Sequence, residues 1–277
     1  MSGNTSYTSI GGKSPVAVAV NAAAKAGEWI RTKLGDVDNL MLKTSAHDLV
    51  TEVDKGAELL IRNLLKTYFP EHAFLGEESV PPGVEASRQA IERLKDEEYL
   101  WIIDPIDGTT NFVHGYPFFS ISIALAHHGE VVAGVIYDPM HDEMFVGEKG
   151  EGAYLKRRRL KVSQEQRLAD GLVATDFPST MNTGWHPQKV MGIVPRVLNL
   201  RISGSAALNL AYVAAGRLSG FWDPNLNAWD TAAGILLVQE AGGRVSDLGG
   251  NPYSLTVRDV VATNGHIHDE LLGYLKE

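Results

Sequence analysis

Asp104 and Asp107 stand three residues apart in the run Trp101-Ile102-Ile103-Asp104-Pro105-Ile106-Asp107-Gly108-Thr109-Thr110-Asn111-Phe112. The apolar residues 100–103 read as a buried strand that ends at Asp104 and Pro105. A turn bracketed by two acids follows, then Gly108, Thr109 and Thr110 at the expected start of a short helix. Such a turn aims two carboxylates and several backbone N–H groups into one small space. Carboxylates gather hard divalent cations such as Mg²⁺, which prefer oxygen ligands. N–H groups at a helix start attract an anion, typically phosphate. Metal and phosphate held side by side outline a phosphoryl-transfer site. Asp-Pro and Asp-Gly are also ordinary turn pairs, so the weight falls on the other acids of the chain.

Several of those acids stand at comparable places. Glu77 and Glu78 follow an expected strand in a Gly-led turn, and Asp54 lies near the start of a helix. Asp230 falls in a helix's first turn, and Asp223 ends a strand. One acid in a first turn needs only the helix dipole to explain it. Jointly the pattern differs, because strand ends and helix starts cluster at ligand sites in α/β folds.

The elements that must position these acids follow from periodicity. Residues 13–34 read as an amphipathic helix despite a short apolar stretch that imitates a secretion signal, and the first dozen residues read as a floppy tail. Apolar positions at three- and four-residue spacing predict a helix over 52–69, ended by Pro70. A strand over 73–75 and a polar helix over 85–98 come next. From 118 to 162 the period becomes two, with Ser120, Ser122 and Ala124 alternating with Ile121, Ile123 and Leu125, which predicts an antiparallel meander. Strands are expected within it at 131–137, 143–146, 152–155 and 160–162. A long loop over 176–192 precedes helices at 205–215, 229–240 and 269–275 and strands at 218–223, 244–247 and 259–263. A soft boundary near residue 165 divides one unit into subdomains at about 13–165 and 166–277.

Composition narrows the chemistry. With 277 residues, 44% of them hydrophobic, the chain can build a full core. It has no Cys, so disulfides, thiolate metal sites and Cys nucleophiles are excluded. The net charge of −9 means that a phosphate substrate needs a bound cation, and it argues against nucleic-acid binding, which relies on Lys and Arg. The basic run 156–159 reads as a solvated hairpin. No apolar stretch is long enough to span a bilayer, so the cytoplasm is the expected compartment.

Four blocks carry a resemblance: Lys43 with Asp48-Leu49-Val50-Thr51-Glu52-Val53-Asp54; Gly76-Glu77-Glu78-Ser79; the run from Trp101 to Phe112; and Trp229-Asp230-Thr231-Ala232-Ala233-Gly234. In order and spacing they resemble the inositol monophosphatase family, within the lithium-sensitive, Mg²⁺-dependent sugar phosphatases, over about residues 15–275. The resemblance implies a layered αβαβα fold with an antiparallel first sheet and a mixed second sheet. It implies that Glu77, Asp104 and the Ile106 carbonyl hold a first Mg²⁺ and that Asp104, Asp107 and Asp230 hold a second. A third, weaker ion is implied near Glu77. Asp107, Gly108 and Thr109 are expected at the substrate phosphate, with Asp54 positioning the Thr109 hydroxyl. Glu77 and Thr109 are expected to orient and deprotonate the attacking water, and Lys43 to add positive charge nearby.

Substrate choice follows less directly. A Glu seven residues before the late metal Asp commonly touches sugar hydroxyls in these phosphatases; here that position is Asp223, one methylene shorter. Gly204-Ser205-Ala206 matches the family's turn lining the same pocket. Inositol 1-phosphate is the favoured substrate, with fructose 1,6-bisphosphate or another sugar or nucleotide phosphate as the alternative. A regulatory, protein-binding role is a second class of reading, and a homodimer is implied by resemblance. The pairs His127-His128 and His266-x-His268 have no trusted metal spacing and are expected at the surface.

Overall fold

The computed structural model describes residues 12–34, 40–42, 49–177 and 187–276. Lys43, Asp48, the expected N-terminal tail and much of the expected 176–192 loop lie outside them. The first half runs α1 (Pro15–Arg31), β1 (Leu40–Leu42), β2 (Leu49–Thr51), α2 (Glu52–Tyr68), β3 (Ala73–Gly76), α3 (Val84–Leu94), β4 (Tyr99–Asp107) and α4 (Thr109–Val113). The meander follows as β5 (Ser120–His127), β6 (Glu130–Asp138), β7 (Glu143–Glu148), β8 (Gly152–Leu155) and β9 (Arg158–Arg159). The second half runs β10 (Leu172–Thr175), α5 (Pro187–Ile193), β11 (Asn199–Ile202), α6 (Ala206–Ala214), β12 (Gly220–Asp223), α7 (Ala228–Glu240), β13 (Arg244–Ser246), β14 (Val260–Thr263) and α8 (His268–Lys276).

Seven strands form the first sheet in the order β3-β4-β5-β6-β7-β8-β9, and five form the second in the order β11-β10-β12-β14-β13. The first sheet is antiparallel except for its edge pair β3–β4, which is parallel. The second is mixed: β10 runs parallel to β11 and β12, and β14 antiparallel to β12 and β13.

Period-two alternation sorts the strand residues onto two cores. Trp101, Ile103, Ile121, Ile123 and Leu125 pack with Ala19, Ala23, Ala57 and Ile61 of α1 and α2. Their neighbours Leu100, Ile102, Ala124 and Ala126 pack on the other face with α6 and α7. The second sheet repeats the division: Ala174, Phe221 and Ala262 join α6 and α7, while Val173, Trp222 and Val261 join α5 and α8. Five layers result, helices between and outside two sheets. The central strands are largely apolar on both faces because each sheet is covered twice, whereas β9 and β11 at the sheet edges are mostly exposed.

The alternation also sets spacing. The small face of β5 and β6 lets α7 approach closely: a Cβ on Gly134 would lie 2.9 Å from the Ala233 carbonyl oxygen. Ser122 Oγ donates to the Trp229 carbonyl at 3.0 Å, tying the first turn of α7 to the sheet. That turn carries Asp230.

Several expectations need correction. The strand 100–103 continues to Asp107, with a register shift between Asp104 and Asp107 that accommodates Pro105. Pro105 has no N–H to donate, so it sits where pairing is interrupted. The 160–162 strand is replaced by the two-residue β9, and the loop over 176–192 ends in α5. Strands β10 and β11 and the β1–β2 hairpin went unread, being three or four residues each. His268 is fully buried, held by Ser246 Oγ at 2.9 Å and Thr263 Oγ1 at 3.0 Å. Its position in an apolar helix face outweighs its polar character, and burial pushes its pKa down to about 4. His266 and His128 are exposed, as is the basic turn 156–159.

Candidate active site

The bulged end of β4, the N-termini of α4, α6 and α7, and the ends of β10 and β12 enclose a cavity of about 690 Å³. Glu77, Asp107, Thr109, Asp176, Asp223 and Asp230 line it. Beneath them Asp104 is 1% exposed. One carboxylate oxygen each from Asp104, Asp107 and Asp230 lies within 4.8 Å of the others.

Each acid is aimed by a local device. Asp104 Oδ1 accepts the Ile106 N–H at 3.0 Å, closing the turn on itself. Asp107 caps α6 from outside: it accepts Ser205 Oγ, the Ala207 N–H at 2.8 Å and the Ala206 N–H at 3.2 Å. Asp230 belongs to a capping box with Asn227, accepting the Asn227 N–H at 2.6 Å. Two helix N-termini thus hold two of the acids, a favourable placement for negative charge.

Three carboxylates so close cannot all ionise cheaply. Burial, then Glu77, Asp107 and Asp230, push Asp104 well above the usual carboxylate range. Burial and Asp230 push Asp107 up to about 7, against the Ser205 and Ala207 donors. Burial raises Asp230, against its N–H donors and Arg258. A divalent cation relieves such a cluster, and an all-oxygen donor set suits a hard ion. The donor set therefore fits Mg²⁺.

The substrate side is equally constrained. Gly108 adopts φ 99°, and a Cβ there would meet the Gly204 and Phe118 carbonyl oxygens at 3.0 and 3.2 Å. Only glycine fits that bend. The Thr109 hydroxyl donates to Asp54 Oδ1 at 3.3 Å or the Ile106 carbonyl at 3.1 Å, with Asp54 1% exposed behind it. Asn111 Nδ2 ties the Phe118 carbonyl at 2.6 Å to the Ser203 carbonyl at 2.7 Å, joining the two halves of the chain.

All the expected site residues among those described converge here; Lys43 lies outside the described residues. Others went unread. Glu58 holds the Glu77–Glu78 turn, accepting the Glu78 N–H at 2.7 Å and Ser79 Oγ, from 5% exposure. Its place on the buried stripe of α2 was the available signal. Asp176 accepts the Ser203 and Gly204 N–H groups at 3.0 and 2.6 Å and Asn209 Nδ2 at 2.9 Å. Arg258 donates to Asn225 and Asn227, bracing the loop from Asp223 to Asp230. Nothing local marks these two.

Comparisons with known proteins agree with this geometry. The profile of the inositol monophosphatase family matches residues 13–277. An inositol-1-monophosphatase of Mesorhizobium japonicum is 42% identical over 264 residues, 94% of this chain and 95% of its own. A protein of Pseudomonas aeruginosa named Nus factor SuhB is 41% identical over 260 residues, 92% of this chain and 93% of its own. The crystal structure of the extragenic suppressor protein SuhB from Bartonella henselae superposes with a TM-score of 0.85 at 43% identity, covering 94% of this chain and 98% of that one. With a match over nearly its whole length and a fold to go with it, the chain belongs to the inositol monophosphatase family.

Proposed function

We propose that the protein is a Mg²⁺-dependent phosphomonoesterase acting on a small polyol phosphate, inositol 1-phosphate first among them. The observation that carries this is the cluster of buried Asp104 and Asp107 with partly buried Asp230, opening beside Gly108 and Thr109 into a cavity of polyol size. Glu77, Asp104 and the Ile106 carbonyl would hold one ion, and Asp104, Asp107 and Asp230 a second, with room for a third near Glu77. Bound there, Mg²⁺ supplies charge to the phosphoryl oxygens and lowers the pKa of a coordinated water.

The chain's own residues do the rest. Gly108 and Thr109 N–H groups and Asp107 orient the phosphate. Glu77 and Thr109 align the attacking water and take its proton, and Asp54 fixes the rotamer of Thr109. Lys43 adds positive charge near the phosphate. Gly204, Ser205 and Asp223 receive the polyol, with Asp223 accepting hydroxyl hydrogen bonds. The two sheets act as halves of one catalytic unit meeting near residue 165.

Phosphate release from inositol 1-phosphate, fructose 1,6-bisphosphate, histidinol phosphate, 3′-phosphoadenosine 5′-phosphate and NADP, with and without Mg²⁺ and Li⁺, tests this reading. Mg²⁺-dependent, Li⁺-inhibited release chiefly from inositol 1-phosphate is expected. No release from any of them, with metal bound, overturns it. A regulatory, protein-binding role is the second reading, favoured by the relative named Nus factor SuhB. A pull-down without transcription or ribosomal partners would remove it. We further expect a homodimer in the cytoplasm without nucleic acid, checked by light scattering and fractionation. Among the described residues, no helix is long and apolar enough to cross a membrane.

A further inference from the structure

We propose that Arg258 is a positioning residue for the cation held by Asp230: it fixes the three residues that lead into α7, and so sets where that carboxylate stands. The inference rests on the metal-dependent reading above and adds to it a residue outside both the ligand set and the cavity wall.

Arg258 lies on the segment 247–259 that joins β13 to β14. From there it bonds to three consecutive residues. Its carbonyl accepts the Leu226 N–H at 2.6 Å. Its guanidinium donates to Asn225 Oδ1 at 2.9 Å and, through the other terminal nitrogen, to Asn227 Oδ1. A planar fork with fixed donor directions constrains two acceptors at once, whereas an ammonium is a point charge on a flexible stem. The residues held span the turn between two acids of the cavity. The Asn225 N–H donates to Asp223 Oδ1 at 3.0 Å and the Asn227 N–H to Asp230 Oδ2 at 2.6 Å. Each asparagine thus accepts from Arg258 with its side chain and donates to an acid with its main chain.

The same segment grips α7 a second time. Tyr253 Oη lies 2.9 Å from Thr231 Oγ1, which in turn donates to the Asn227 carbonyl at 3.0 Å. Leu255, 4% exposed, joins the same apolar core as Trp229, the neighbour of Asp230. The clustered acids themselves come from β4 and α7, so this segment supports the site without supplying a carboxylate to the cluster.

The sign of the charge separates positioning from electrostatics. A guanidinium is a cation, and its charge alone opposes the binding of another cation nearby. Any strengthening of metal binding by Arg258 must therefore come from geometry. Partners that orient a metal ligand are commonly worth tenfold or more in affinity.

The test is calorimetric titration of Mg²⁺ into the metal-free protein, with Asp230→Asn identifying the ion that depends on Asp230. Arg258→Met keeps an apolar stem and removes the fork. It is expected to weaken that ion about tenfold and to leave the ion of Glu77 and the Ile106 carbonyl unchanged. The Mg²⁺ concentration for half-maximal phosphate release should rise by the same factor, with kcat recovered at saturating Mg²⁺. Arg258→Lys, which keeps the charge, should weaken the same ion. Unchanged or tighter binding in folded Arg258→Met overturns the proposal, as does equal weakening of both ions, the mark of a general loss of structure. An Arg258→Lys protein that binds Mg²⁺ like the wild type overturns it too. Should Arg258→Met fail to fold, Asn225→Ala decides. It removes one arm's acceptor and keeps the main-chain N–H for Asp223, so selective weakening of the Asp230-dependent ion supports the proposal and unchanged binding overturns it. Wild-type protein that takes up no Mg²⁺ marks failure of the functional reading itself.

Discussion

Asp104 and Asp138 are both buried aspartates of the first sheet, 1% and 0% exposed, yet their surroundings differ. Asp138, at the end of β6, accepts the Met140 and His141 N–H groups at 2.9 and 3.1 Å and pairs with His141 Nδ1 at 2.7 Å. Both its oxygens are answered by donors from its own turn. Asp104 has one such donor, the Ile106 N–H, and three acids facing it: Glu77, Asp107 and Asp230. A carboxylate surrounded by donors fastens a turn; one surrounded by carboxylates awaits a cation. Burial alone does not distinguish them.

Substitution breaks the comparison most sharply. Asp104→Asn is expected to lower kcat at least a thousandfold, of the order that removing metal charge costs. It should leave the metal-free protein as stable or more so, because it removes like-charge crowding. Phosphate release and thermal melting check both halves; full turnover would sink the metal assignment. Asp138→Asn should do the reverse, retaining activity while losing about 1.5–3 kcal/mol of stability in denaturant titration.

Gly134→Ala tests whether the approach of α7 places the cluster. The new Cβ would meet Ala233 backbone atoms at 2.9 and 3.0 Å, so helix and sheet must part. A stability loss of about 1–3 kcal/mol is expected, with Mg²⁺ affinity falling because Asp230 moves with the helix. Unchanged affinity would show that Asp230 is placed by its capping box instead.

Metal removal and pH separate the regions further. Asp107 has a folded pKa raised to about 7 from 3.8. The sign follows: its stabilising contribution is full below 3.8 and is lost as pH rises through 7. In EDTA the protein should therefore lose stability across that interval, by up to about 1.4 kcal/mol per pH unit for each such group. Mg²⁺ should flatten the slope, and a slope that Mg²⁺ leaves alone would count against the cluster as its binding site.

The smallest effect concerns His268, whose folded pKa of about 4 lies below its usual 6.5. Its contribution is full above 6.5 and is lost as pH falls toward 4. His268→Gln should remove that slope, of order 1 kcal/mol per pH unit, without touching Asp104. Melting curves between those pH values read it out.

Much of the site was legible from residue type and spacing. The carboxylates, the obligatory Gly108 and the helix starts are local features, dictated by turn chemistry and capping. The period-two run over 118–162, with Ser and Ala alternating with Ile and Leu, announced a meander. The short strands β10 and β11 escaped because four residues carry no period that distinguishes strand from loop. His268 was misplaced because the expected last helix began at 269, whereas His268 opens α8 and its ring is held by Ser246 and Thr263 from strands distant in sequence.

Sequence by itself determined the chemistry available: oxygen ligands, no thiols, and acids at strand ends and helix starts. Tertiary structure alone decided which acids meet. Asp104 and Asp230 are 126 residues apart, and only the close packing of α7 against small residues on β5 and β6 brings them within ligand distance. Parallel pairing of β10 with β12 likewise sets Asp176 beside Asp223. Local rules act over one turn, whereas contact between distant turns depends on how two sheets and the helices between them fill space.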